Sequence, residues 1–214
     1  NAMGGAMIDE IGSGSKEILG SIYFWTYAAM QIPSGIMADR LGPRKTTFIF
    51  LAIAGVGSVL TFAAQDFFTV AVGKVLIAAG MAVVYIPLMK LVAVWFKKEQ
   101  FPELNGIVIA VGNVGALAAA APLRMLSEAI GWREVFLLLG IITMVIAILC
   151  LLIIRDHPSK MNRPGLEEIE FAEKGTPITD RSDAKASVIK GLRTVAKSGR
   201  IFWTMSIAYF LVYG

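Results

Sequence analysis

Lys74 stands in the middle of an apolar stretch with no aspartate or glutamate in the turns on either side of it. A cation held away from the membrane surface costs at least about 2.5 to 3.5 kcal/mol, so it faces a cavity or a partner. Its chemistry is the attraction of anions. At helical spacing Lys74 shares a stripe with Met81 and Tyr85, while Asn113, Leu117, Ala120 and Arg124 form a second stripe. A third consists of Tyr23, Tyr27, Gln31 and Ser34. These place Tyr27, Gln31, Lys74, Tyr85, Asn113 and Arg124 as candidates to line a polar cavity and touch a small solute. Each has a second reading. Tyrosines anchor helices at membrane interfaces, Gln31 and Asn113 suit interhelical hydrogen bonds worth only about 1 kcal/mol, and Lys90 and Arg124, nearer helix ends, can extend to the surface. No acid stands at membrane depth in these stripes, so this side of the cavity is expected to be electropositive.

Other chemistries lack their residues. His157 is the one histidine and Cys150 the one cysteine, which leaves no histidine triad, no multi-histidine zinc site and no disulfide framework. The sequence carries no glycine-rich phosphate loop ending in Lys-Ser or Lys-Thr. No metal, no cofactor and no enzymatic activity are therefore expected. The net charge of +4 raises the question of nucleic acid, but the placement of the cations answers it differently, as follows.

Of the 214 residues, 56% are hydrophobic and 17% charged, with a mean hydropathy of +0.68. A soluble domain carries about 25% charged residues. The apolar residues fill whole windows, and a bilayer core asks for about 20 of them per helix. Five such windows are predicted as membrane helices: Ile18 to Met37, Thr46 to Ala64, Thr69 to Phe96, Asn105 to Leu126 and Val135 to Ile154. The roughly ten-residue alternating segments of a membrane β-barrel are not visible. Arg40, Arg44 and Lys45, then Lys97 and Lys98, then a long charged segment occupy alternate connections. The opposite connections carry Asp66, Glu128 and Glu134, with Lys16 and Arg133 as exceptions. The bias of lysine and arginine puts the first group in the cytoplasm and the amino terminus outside. The expected location is the cell inner membrane, with the lipid bilayer, not nucleic acid, as the partner of the charge.

The connection Gly35-Ile-Met-Ala-Asp39-Arg40-Leu-Gly42-Pro-Arg44-Lys45 resembles the signature loop between the second and third helices of the major facilitator superfamily. Gly35 removes a side chain where another helix can approach. The likeness makes Gly35, Asp39, Arg40, Gly42, Arg44 and Lys45 a conformational gate: Asp39 is expected to meet the positive end of a helix dipole or an arginine from elsewhere in the complete protein in one closed arrangement, and Arg40, Arg44 and Lys45 anchor the loop at the inner surface. The likeness continues through Gly73-Lys74, Gly80, Pro87 and Trp95-Phe96 (the family's fourth helix), Gly112, Asn113, Gly115 and Pro122-Leu123 (its fifth) and Gly131-Trp132-Arg133 (the opening of its sixth). Two departures stand out. Lys74 replaces an arginine common in the family, losing the planar fork, and the fifth helix lacks the full glycine-proline motif of drug and proton antiporters.

The resemblance implies an all-α, multi-pass transmembrane helical bundle built from inverted three-helix repeats, with the solute bound between two such halves near mid-membrane. It also implies secondary active transport by alternating access, coupled to a proton or another ion. On this likeness residues 1–17 are an outer segment, with Asn1 and Ala2 a tag scar. Residues 18–154 are helices two to six, residues 155–200 a cytoplasmic linker, and residues 201–214 the start of helix seven. A first helix ahead of Met3 and a carboxyl-terminal half are then expected to complete the protein. Within the linker, Val188, Ile189, Leu192, Val195 and Ala196 recur at helical spacing beside Lys190, Arg193 and Lys197. They fit an amphipathic helix on the inner leaflet or the run-up to the next span. The expected function is transport of a small solute, an organic anion on the evidence of Lys74. The alternative is a non-transporting receptor or scaffold of the same fold.

Overall fold

The computed structural model describes residues 15–156. The expectations for the amino-terminal segment, the linker beyond Asp156, His157 and the start of a seventh helix lie outside the described residues. Within them run α1 (Ser15–Leu41), α2 (Pro43–Ala63), α3 (Phe67–Ala82), α4 (Tyr85–Trp95), a 3-10 turn (Lys98–Gln100), α5 (Phe101–Ile130) and α6 (Trp132–Ile153). No strand occurs among the described residues.

The predicted windows correspond to these helices, with two differences. The window from Thr69 to Phe96 is not one helix: it breaks at Val83 and Val84 between α3 and α4. Pro87 supplies the reason, since it has no N–H to give and its ring collides with the carbonyl four residues back, at Val83. Taken together, Phe67–Trp95 is still long and apolar enough to cross a membrane, as are α2, α5 and α6. The second difference is α1. It has ample length at 27 residues but does not belong to that strongly apolar set, because Tyr23, Thr26, Tyr27, Gln31 and Ser34 interrupt it. A helix of this kind crosses lipid where its polar groups face protein or water.

Short connections fold the helices back on one another. α2 is the centre of the bundle and packs most extensively on α6 and α3, while α1 packs on α3. Small residues set the α2–α3 spacing. A Cβ placed on Gly80 would lie 2.6 Å from the Ala54 Cβ and 2.8 Å from the Ala54 nitrogen, so the two backbones touch where that glycine has no side chain. Gly80→Val is expected to force the helices apart at a cost of about 1 to 3 kcal/mol. A lowered thermal unfolding midpoint in detergent checks it; an unchanged midpoint would show that α3 can shift freely.

At one end of the bundle Leu19, Ala64, Val70, Trp132 and Phe136 form a buried apolar cluster. The Arg133 guanidinium donates to the Ala64 carbonyl at 3.1 Å, just beyond the end of α2, and lies over the Trp132 ring. This explains an exception to the charge bias: Arg133 serves a helix terminus with unpaired carbonyls. Asp66 caps α3 by accepting from the Thr69 N–H and hydroxyl. Those bonds, the hydroxyl's first, hold its carboxyl below the usual carboxylate range. A depressed folded-state value means the cap's contribution is present above that range and lost as pH falls through it. Asp66→Asn is therefore expected to flatten the acid limb of a stability–pH profile, measured by thermal unfolding from neutral to strongly acidic pH.

α5 stands apart. It meets α6 and, slightly, α4, and Val111, Val114, Leu117 and Met125 along it are exposed among the described residues.

Candidate functional site

The signature connection is a junction of four helices, α1, α2, α4 and α6. α1 and α2 are separated by Gly42 alone, with φ 81° and ψ 158°, a backbone conformation open essentially to glycine. A Cβ there would also meet the Asp156 carboxylate at 3.1 Å. That carboxylate accepts the Arg44 backbone N–H at 2.8 Å, and the Arg44 Nε donates to the Leu151 carbonyl at 2.7 Å. The loop is thus bolted to the last turn of α6. Buried Thr46 closes it from within, its hydroxyl donating to the Met37 carbonyl.

Asp39 faces the other way, and its partner lies in this chain. Lys90 of α4 donates to Asp39 Oδ1 at 2.7 Å and to the Ala38 carbonyl at 2.8 Å. One ammonium thereby serves the last turn of α1, where orphan carbonyls and the negative end of the dipole both favour a cation, and neutralises the aspartate beside it.

Several expectations change. Asp39 meets Lys90, a residue set aside above as a surface extension, instead of a positive helix terminus. Arg44 does not spread on the membrane surface, because its Nε is taken by the α6 carbonyl; Arg40 and Lys45 are exposed. Gly35 makes no close approach among the described residues, since a Cβ on it would meet nothing within 4 Å. The helix contact expected there occurs at Gly80. Lys90 was legible as a cation near a helix end, but nothing in the spacing said that it would reach α1.

The candidate cavity residues are not drawn into one cluster. Lys74 lies about 10 Å along α3 from Phe67, at about 1.5 Å per residue, with its ammonium 4.6 Å from the centre of the Phe136 ring of α6. The ring face is negative and holds the cation without neutralising it. Tyr85, which shares the Lys74 stripe in sequence, donates its hydroxyl to Asn105 of α5 at 2.6 Å, beyond the α3–α4 break. Tyr27 stacks on Tyr23 at 6.3 Å. Ser34 leaves its stripe: it is buried and bonds the Gln31 carbonyl, while Gln31 itself is exposed. Asn113 is exposed on α5. Arg124 pairs with Glu128 one turn on, at 3.0 Å, with both side chains about two-thirds exposed. Arg124 is therefore a neutralised surface pair among the described residues and adds no net positive charge.

Glu17, Asp39, Asp66, Glu99, Glu103, Glu128, Glu134 and Asp156 all lie within the first or last turn of a helix or in a connection. No described carboxylate pairs with Lys74.

The model of the Major Facilitator Superfamily matches residues 2–214, nearly the whole chain. The chain belongs to the Major Facilitator Superfamily. It is a multi-pass membrane protein with an all-helical transmembrane bundle. Among curated relatives it is similar to the nitrate/nitrite transporter NrtP of Nostoc punctiforme, 32% identical over 61% of this chain and 28% of that protein. It is also similar to the probable galactarate/D-glucarate transporter GarP of Escherichia coli, 28% identical over 77% of this chain and 38% of that one. A third relative is the probable sulfoacetate transporter SauU of Cupriavidus necator, 27% identical over 70% of this chain and 35% of the other. The chain therefore spans well under half the length of these relatives.

Proposed function

We propose that the complete protein carries a small organic anion across the membrane by alternating access, with this superfamily bundle forming one wall of the binding cavity. The observation that carries the proposal is Lys74: an ammonium inside the bundle, held over the face of Phe136 and paired with no described carboxylate. Such a charge is expensive unless water or an anion compensates it, and an electropositive cavity concentrates anions and repels cations. The solutes named for the three relatives are anions at neutral pH: nitrate or nitrite, galactarate or glucarate, and sulfoacetate. They differ in size and in the acid group, so negative charge is what they share.

Lys74 supplies the positive point charge, and as a lysine it does so without a planar fork that demands a bidentate partner. Tyr27 and Gln31 on α1 offer neutral hydrogen-bonding groups for the rest of the solute. The loop around Gly42, clamped by Arg44, Asp156 and the Lys90–Asp39 pair, is the element whose contacts must open or close when the halves rock. Coupling to a proton or another ion would use groups beyond those described.

The test is uptake by the full-length protein in liposomes against a panel of carboxylates, sulfonates, neutral sugars and amines. Saturable, gradient-driven uptake of an anion is the expected result. Selective uptake of a sugar or an amine would overturn the anion assignment while leaving a transporter. Solute binding with no flux under any gradient would favour a receptor.

A further inference from the structure

At the end of the bundle that carries the basic loops, α4 and the close of α6 enclose a groove of about 290 Å³ lined by Leu88, Leu91, Val92, Trp95, Ile153 and Arg155. Its wall is apolar except at the rim. Trp95 donates its indole N–H to the Arg155 carbonyl at 3.2 Å, which fixes the Arg155 backbone on one side. Asp156, the next residue, accepts the Arg44 N–H and fixes it on the other. The Arg155 side chain is exposed, and no described carboxylate pairs with it; the nearby Asp156 carboxylate is turned to Arg44.

We propose that this groove is a binding site for an anionic phospholipid, one acyl chain lying along Leu88, Leu91 and Ile153 and the headgroup phosphate meeting Arg155. The volume lies at the low end for small-molecule sites and suits a chain better than a compact solute. Its place at the terminus of two membrane-crossing helices puts the apolar part at acyl depth and the guanidinium at headgroup depth. Tryptophan and arginine at that level are the residues that meet the interface. Guanidinium and phosphate match in charge and in hydrogen-bonding geometry. A second occupant, the basic amphipathic stretch 188–197 of this chain, would bring lysines and arginine toward Arg155, which charge opposes.

The site is tested by quenching of Trp95 fluorescence in the full-length protein, with every other tryptophan replaced by phenylalanine. It is reconstituted in phosphatidylcholine vesicles containing brominated phosphatidylglycerol or, separately, brominated phosphatidylcholine. The phosphatidylglycerol is expected to quench with about fivefold preference, the effect of one basic residue near anionic lipid. Arg155→Gln should bring the preference close to one, and Arg155→Lys should retain most of it. Arg40→Gln, removing an exposed cation at the same end that does not line the groove, should change it less than Arg155→Gln does. Equal quenching by the two lipids, or a preference that survives Arg155→Gln, overturns the site. Absence of quenching by both does so too, and points to protein filling the groove. Should Arg155→Gln fail to reconstitute, the wild-type comparison of the two lipids still decides.

Discussion

Replacing Lys74 by glutamine in the full-length transporter is expected to cut uptake of its anion at sub-saturating concentration by about 10- to 100-fold, the worth of a hydrogen bond to a charged group of about 1.5 to 3 kcal/mol. The size rests on the setting. Lys74 is flanked by apolar turns, lies over the Phe136 ring and has no described acid to share its charge. Among the described residues no carboxylate competes with an entering carboxylate or sulfonate for Lys74. Lys74→Arg should keep most of the activity, since the charge survives even though its shape changes. Phe136→Leu removes the cation–π contact, worth about 0.5 to 2 kcal/mol, together with the ring's edge-to-face packing on Trp132, and should lower the thermal midpoint while having a smaller effect on anion uptake. A structural role for Lys74 gives a different pattern: Lys74→Gln would lower the thermal midpoint, and flux of every solute would fall alike. Unimpaired anion uptake by Lys74→Gln would remove the argument from this residue altogether.

The pairing of Lys90 with Asp39 gives the second large effect, on rate instead of affinity. Both side chains are partly exposed, and an isolated surface pair is worth about 0 to 1 kcal/mol. Lys90, however, also holds the Ala38 carbonyl, so its removal frees the end of α1 and the aspartate together. If this contact belongs to one of two arrangements of the bundle ends, losing it shifts their balance by the differential energy alone. About 1 kcal/mol corresponds to about fivefold. Lys90→Met and Asp39→Asn are each expected to slow turnover about fivefold while solute binding stays within about twofold. The double variant should be no worse than Lys90→Met, because the two residues act through one contact. Stopped-flow or counterflow rates on the single and double variants check this. Multiplying effects would show that the residues act independently, and wild-type turnover in both singles would reduce the pair to a loop ornament.

Both predictions draw on features that differ in how far the sequence reveals them. Membrane helices were legible because their cause is local: about 20 apolar residues bury their backbone polar groups only as a helix. That is why α2, α5 and α6 fall where the windows place them. The signature from Gly35 to Lys45 was legible for a similar reason, since a one-residue connection at Gly42 needs a positive φ that glycine alone adopts freely. Pro87 could have announced the break at Val83 and Val84, because proline's effect on the preceding turn is also local.

Which side chains meet was decided by the tertiary structure. Helical periodicity groups residues by face, but a face has no address until helices are packed against it. Lys74 and Phe136 are 62 positions apart, and their contact exists because α2 draws α3 and α6 to its flanks. Lys90 and Asp39 are 51 apart, and Arg44 and Asp156 are 112 apart. Lys90 and Asp156 are single charges near helix ends, and the signature that holds Asp39 and Arg44 names no partner for either. The choice of partner came from where helix termini lie together, and from the electrostatic demand of carbonyls and carboxylates that a terminus leaves unpaired. The sequence by itself determined that this chain makes membrane helices with most of the cations of its connections at one set of ends. Packing alone decided that Arg44 and Lys90 would join those ends to one another and that Lys74 would stay uncompensated among the described residues.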